Sequence, residues 1–237
     1  MNRTIKTMVA ACAISAAATV FAEDEVSAEE EGAIGWTPVC VSLCSPVQLP
    51  WGHAKWDVFG LDLGILYSGT PKMYGLAVNG LGMLNTDEFD GFAASGLMNF
   101  SRKDVYGIRA CLGANICEGT AYGLDMGGFG YGKGFWGVDV EFLGGLRDYF
   151  WGCQIGGLVN LTKEQAYGWE LALGVNFAKV VYGCQTAMMF NMADELHGCQ
   201  IGLVNFADNC VWGFQIGIVN IIMSNEVKAL PIVNAYF

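Results

Sequence analysis

Gly198-Cys199-Gln200-Ile201-Gly202-Leu203-Val204-Asn205 and Gly213-Phe214-Gln215-Ile216-Gly217-Ile218-Val219-Asn220 are nearly the same eight residues, fifteen positions apart. In the second copy, Trp212, Phe214, Ile216 and Ile218 fall on one side of a period-two pattern, and Gly213, Gln215 and Gly217 fall on the other. Alternation at this period marks a strand with two unlike faces. Working outward from this pair, units that open on an aromatic residue followed by glycine begin at Phe59, Tyr74, Asp90, Tyr106, Tyr122, Trp136, Trp151, Tyr167, Tyr182, His197 and Trp212, at spacings of 14 to 16. Asp90 and His197 stand where the others have an aromatic ring of the Phe/Tyr/Trp type. A fixed period of this length is the signature of a repeat architecture.

The second position after each start is apolar, as at Leu61, Ile108, Trp169 and Phe214. The third is polar at Asp62, Arg109, Asp125, Asp139, Gln154, Glu170, Gln185, Gln200 and Gln215, and Glu141 shares that face two residues beyond Asp139. Ala77 and Ala93 break the polar column. Asn, Asp, Lys and Ser gather between units, as over 205–209, which suits short turns. Each unit therefore predicts one strand of roughly ten residues and a turn of roughly five.

Two all-β architectures fit. The first is an antiparallel up-and-down β-barrel of about 12 strands, of the outer-membrane type. Membrane strands need about 9–11 residues, alternate apolar and polar positions, and carry aromatic girdles. Eleven units and the segment Leu230 to Phe237, which ends the chain on Phe, supply an even strand number. In that arrangement Asp62, Arg109, Asp125, Asp139, Glu141, Gln154, Glu170, Gln185, Gln200 and Gln215 line a lumen, and the carboxylates favour cations. The second is a parallel β-solenoid with about 15 residues per rung, in which like residues stack.

Composition suits a β membrane protein and a repetitive β-solenoid alike. Apolar residues make up 53% of the 237 and charged residues 15%, against about 25% in typical globular domains. Beyond the N-terminus no apolar run is long enough for a membrane helix. Arg3 and Lys6, the Ala-rich stretch from Met8 to Val20, and the small residues of Val20-Phe21-Ala22 predict a signal peptide over 1–22. Residues 23–33, with Glu29-Glu30-Glu31, predict an acidic linker. The segment 34–58 is a lead-in that serves as a plug, a spacer or one more strand, and 59–237 is the repeat-built β domain. The formal net charge is −11, which disfavours nucleic acid because phosphate contacts need Lys and Arg.

The late units resemble bacterial surface-repeat proteins first named from leptospires, which carry tandem Gly-Leu-Gln-Ile-Gly-Leu-Val-Asn units. The likeness is close over about 150–220 and degenerate over 59–150, where Asp or Arg replaces Gln. It implies an exported, surface-associated protein and no particular activity.

For chemistry the sequence offers little. Eight cysteines follow the leader. An exported chain permits disulfides, with Cys40/Cys44 and Cys111/Cys117 as expected local pairs. Cys153, Cys184 and Cys199 sit at the apolar second position, and in a solenoid Cys184 and Cys199 would stack. His53 and His197 are isolated and no CxxC occurs, so a zinc site is not expected. The Gly-rich run Gly127-Gly128-Phe129-Gly130-Tyr131-Gly132 precedes no helical pattern and suits no phosphate loop. No catalytic set and no cofactor is expected. The expectation is a protein of the outer membrane or cell surface of a Gram-negative-type bacterium, with outer-membrane lipid as partner and a structural or passive, cation-favouring pore role. The alternative is a soluble surface solenoid that acts as a binding module. The solute or surface partner stays open.

Overall fold

The computed structural model describes residues 33–44, 47–51 and 55–237, the Thr86 side chain excepted. The signal-peptide and most of the linker reading, over 1–32, lie outside the described residues. Twelve strands form one continuous sheet: β1 (Gly35–Cys44), β2 (Val47–Leu49), β3 (Trp56–Asn79), β4 (Gly82–Ser95), β5 (Met98–Ser101), β6 (Val105–Cys111), β7 (Ala114–Gly156), β8 (Val159–Ala172), β9 (Val175–Ala187), β10 (Phe190–Ile201), β11 (Val204–Ile222) and β12 (Ala229–Tyr236).

From β1 and β3 through to β11, successive strands pair in parallel. Gly198 lies beside both Gly183 and Gly213, and Asn191 beside both Asn176 and Asn205. Each repeat is thus one full coil of a β-solenoid, stacked on its equivalent. This overturns the barrel. Antiparallel neighbours would put unlike residues side by side, whereas here the register matches residue to residue across coil after coil. The unit also differs from the expected single strand and turn: it has two extended sides and two turns. One side runs through residues such as Val204–Ala207, the other through Gly213–Ile216, and the chain reverses near Asp208–Asn209 and again near Gly202–Leu203.

The alternation assigns faces correctly. Polar third-position residues point into the coil and apolar second-position residues point out. Asn205 corrects the turn reading: it is fully buried inside the coil, while Asp208 and Asn209 are exposed.

The glycine after each aromatic residue has a geometric duty. Gly60 through Gly213 at that position adopt φ between 121° and 148°, a conformation that L side chains rarely take. A Cβ on Gly198 would fall on the carbonyl oxygen of Gly183 in the coil below, and one on Gly213 would fall on that of Gly198. The preceding side chains stack outside. Tyr167 and Tyr182 lie 4.6 Å apart at 6°, Tyr182 and His197 4.4 Å apart at 18°, and Trp136 and Trp151 4.3 Å apart. Inside, next to the turn, Val58, Met73, Phe89, Val105, Ala121, Phe135, Phe150, Ala166, Val181, Leu196 and Cys210 form the apolar core column.

Both ends are capped by reversed segments. β2 runs antiparallel to β1, and β12 runs antiparallel to β11 from Gly213↔Tyr236 to Ile221↔Ala229, turning at Ile232, whose φ is 70°. The Leu230 to Phe237 segment is therefore a lid on the last coil, not the closing strand of a barrel. The lead-in contributes β1, which stacks in parallel on β3 as a first rung.

Replacing Gly198 by Ala strains the backbone and meets the Gly183 carbonyl. The expected loss is about 2–3 kcal/mol, read as a lower denaturant midpoint, while Gly82→Ala, at an ordinary φ and with no neighbouring atom closer than 3.1 Å to the added Cβ, costs less.

Candidate functional site: a polar interior and an apolar exterior

The interior is a set of amide ladders. Asn160 donates to Asn176, Asn176 to Asn191, Asn191 to Asn205 and Asn205 to Asn220, at 2.8–3.0 Å. The same amides cross the coil to carbonyls of the opposite side, as Asn191 to Ile201 O at 2.8 Å and Asn205 to Ile216 O at 2.8 Å. Each Asn therefore ties coil to coil and side to side. The second ladder comes from the third-position residues: Gln215 donates to Gln200 at 2.7 Å, Gln200 to Gln185 at 2.8 Å, and Gln185 to the Glu170 carboxylate at 2.8 Å. Glu170 also accepts from Thr162 at 2.7 Å. A buried amide is costly unless hydrogen-bonded, and parallel in-register stacking lets each amide bond the identical one above it.

The middle coils break this pattern. Gly145 pairs with Asn160 in the Asn column, so glycine stands where an amide would be expected. The space goes to charge. A Cβ on Gly130 would meet the Arg147 guanidinium, and one on Gly145 would meet the Gln154 amide. Arg109 grips Asp125 with two bonds, Nε to Oδ1 at 2.9 Å and Nη2 to Oδ2 at 2.5 Å, and donates from Nη1 to Ile116 O at 3.1 Å. Arg147 Nη2 lies 3.0 Å from Asp139 Oδ2 and 3.3 Å from Asp125 Oδ2, with its guanidinium 5.0 Å from the centre of the Phe135 ring. Glu141 accepts from Asn115 at 3.4 Å. These five charged side chains are almost wholly buried.

Each candidate lumen residue therefore sits inside a packed coil: Asp62, Arg109, Asp125, Asp139, Glu141, Gln154, Glu170, Gln185, Gln200 and Gln215 are all 0–2% exposed. Arg109, Asp125, Asp139 and Glu141 are brought into one cluster, Gln154 adjoins it through Gly145, Glu170 anchors the Gln ladder, and Asp62 is apart, accepting from Ser68 and Asn79. The pore role depended on a closed barrel and falls with it. Arg147 completes the cluster, and sequence reasoning missed it because it lies on the other side of the coil, twelve residues after Phe135.

Carboxylates of Asp125, Asp139 and Glu141 approach within 4.8 Å of one another, a spacing that a cation could bridge. Here the two guanidiniums already supply the positive charge between them. Burial, and then the neighbouring Asp139, push the Glu141 carboxyl up to about 9, and burial pushes Glu170 up to about 7 despite the bonds from Gln185 and Thr162. Burial likewise raises Asp139, against the pull of Arg147, and raises Asp62, against bonds from Ser68 and Asn79.

The exterior is the inverse. On the second side, the outward columns run Leu61, Leu76, Phe92, Ile108, Leu124, Val138, Cys153, Trp169, Cys184, Cys199, Phe214 and Leu63, Val78, Ala94, Ala110, Met126, Val140, Ile155, Leu171, Thr186, Ile201, Ile216. The first side carries residues such as Leu84, Phe100, Leu161, Phe177 and Phe206 outward. One edge of the coil is Gly and large apolar residues, with Leu112 83%, Phe142 77% and Ile218 67% exposed. The other edge holds the exposed charges, and there Lys103–Asp87, Lys163–Asp148 and Lys179–Glu164 pair between adjacent coils at 2.7–2.8 Å. Among the described residues from Asp57 onward, every charged side chain is inside the coil, on that charged edge or, for Asp90, in the aromatic column beside it. On the apolar face Cys184 and Cys199 form a disulfide between stacked coils. The expected local pairs are not made: Cys40, Cys44, Cys111 and Cys117 are free thiols.

No family model, curated protein or solved structure matches this chain. The class is set by the fold alone: an all-β, parallel solenoid of short coils.

Two outcomes are expected. Arg147→Leu leaves Asp139 buried without its guanidinium and should cost about 3–5 kcal/mol, measured by denaturant unfolding. Glu141 and Glu170 have folded values above the ordinary 4.5. Their protonated forms therefore contribute stability that is fully present below about pH 4.5 and is lost as pH rises through about 7 for Glu170 and about 9 for Glu141. In thermal melts across that window, Glu170→Gln should flatten the part of the decline that centres on about 7, because an amide does not titrate while its oxygen still accepts from Gln185.

Proposed function

We propose that this protein is a non-catalytic interaction module whose working surface is its apolar exterior. The observation that carries the reading is the segregation of charge: both sides and one edge of the solenoid are apolar, and exposed charge is gathered on the other edge, with Asp90 at its border. Monomeric soluble proteins rarely expose contiguous apolar patches beyond a few hundred Å². Here outward apolar columns continue from Leu61 to Phe214, along a stack roughly 48 Å long at the usual strand spacing.

The reading differs from a binding solenoid that displays stacked Gln and Asp, because those side chains are spent on one another inside the coil. The resemblance of residues 198–220 to surface-repeat proteins, with the export signal read from residues 1–22, supports a place at the cell envelope. Interior amides supply uniform, self-complementary coils, and the exterior supplies the contact.

The test is behaviour in plain buffer. The full chain should be monomeric only with detergent. Without detergent it should self-associate or take up an apolar partner, and replacing Val140, Ile155 and Leu171 by Ser should raise its solubility with the β circular dichroism unchanged. A monomer stable in plain buffer at tens of micromolar would overturn the reading.

A further inference from the structure

We propose that the apolar exterior is seated in a lipid bilayer, with the solenoid lying edge-on, its long axis in the membrane plane and its charged edge at the headgroups. This deepens the reading above and rests on it.

Three features favour lipid over a protein partner. A flat partner or a two-fold copy would cover one side of the coil, yet both sides and the edge between them are apolar, as a surrounding apolar medium requires. The border between charged edge and apolar sides is a row of Tyr, Trp and His, among them Tyr122, Trp136, Trp151, Tyr167, Tyr182 and His197, stacked coil on coil. Tyr and Trp are the residues that favour a membrane–water boundary, apolar in body and polar at one end. Leu112, Phe142 and Ile218, apolar side chains that stand far out of the coil, lie at the edge farthest from the charges, where water would be least available.

The dimensions agree. From Trp212 to Ile218 is six residues, about 20 Å of extended chain, against about 30 Å of bilayer hydrocarbon. The coil enters the hydrocarbon without crossing it. Among the described residues, Asp90 faces outward only at the border, in the aromatic column, while Arg109, Asp125, Asp139, Glu141 and Arg147 are enclosed within the coil, and the guanidiniums are paired with carboxylates there. The charged edge carries more Asp and Glu than Lys and Arg. Anionic lipid should therefore give no advantage over zwitterionic phosphatidylcholine, unlike a basic amphipathic surface.

The experiment uses two full-length variants with one tryptophan each, the remaining tryptophans replaced by Phe. One keeps Trp212 at the border. The other keeps Trp169, which lies two positions farther from the charged edge, on the apolar side. Each is mixed with phosphatidylcholine vesicles brominated either near the headgroup or deep in the acyl chain. Trp169 should be quenched at least twofold more by deep bromines than by shallow ones, and Trp212 should show the reverse preference. Added phosphatidylserine should not raise binding. Circular dichroism confirms that each variant keeps its β fold, and a second pair retaining Trp136 or Trp169 covers a failure at Trp212.

Equal quenching of both tryptophans at both depths would show tethering through another segment and overturns the proposal. No quenching, with a discrete oligomer in detergent-free buffer, assigns the surface to contacts between copies; it overturns the lipid proposal and leaves the interaction reading intact. No quenching, with a monomer in plain buffer, overturns both.

Discussion

The amide-on-amide hydrogen bond between stacked coils is what the rest of this structure depends on. A coil of about fifteen residues is too thin to enclose a conventional apolar core on both halves. It holds an apolar column near the charged edge, from Val58 to Cys210, faced in the late coils by Ala178, Ala193, Ala207 and Ile222, and fills most of the remainder with Asn and Gln. In the late coils such side chains are tolerable inside because Asn160 to Asn220 and Gln185 to Gln215 each bond a like amide one coil away, at 2.7–3.0 Å, and several also reach a carbonyl across the coil. With polar groups consumed inside, the apolar residues of the alternating pattern have nowhere to point but outward.

Where the repeat departs from its late form, the change is coordinated. In the Asn column a glycine stands at 145, while Asp125, Asp139 and Glu141 stand among the interior carboxylates and Arg109 and Arg147 enter to neutralise them. Changing any one of these residues alone would leave either a buried charge or a void. The buried ion cluster is weak evidence for added stability, since desolvation offsets much of its attraction. It does distinguish the middle coils from the otherwise interchangeable Asn/Gln coils, and so opposes a slip of one whole coil in the stacking.

The sequence pattern made the faces legible and left strand direction open. Period-two alternation reports which side chains share a face, and it is identical for a meander and for a coil. The decisive clue was present in the near-identity of neighbouring units. Tyr167 over Tyr182 and Gln185 over Gln200 interact favourably only when equivalent residues are adjacent, which requires parallel strands in register. The charged positions carried the same message, since in a meander they would fall at alternate rims rather than along one edge. Asn205 and its equivalents were misread because Asn favours turns as well as ladders, and composition cannot separate the two uses. Arg147 was invisible because it stands on a side of the coil that a one-strand unit does not contain, 8 and 22 residues from its partners Asp139 and Asp125. The Cys184–Cys199 link could be foreseen for a solenoid, and the Cys40/Cys44 and Cys111/Cys117 expectations failed because nearness in sequence places such residues on different parts of one coil.

The reversed strand β12 has a consequence for how a chain like this changes size. An open stack of identical rungs is a template that a second molecule could extend indefinitely, as in a fibril. β12 presents its backbone in the opposite direction to the coils beneath it, so the repeat is not continued past Ile222. Growth is thereby moved from the ends to the interior. Duplicating or deleting a fifteen-residue segment between the caps lengthens or shortens the molecule in steps of about 4.8 Å with an unchanged cross-section. Its length is then a heritable quantity, adjustable by recombination within the gene and insensitive to the concentration of other copies.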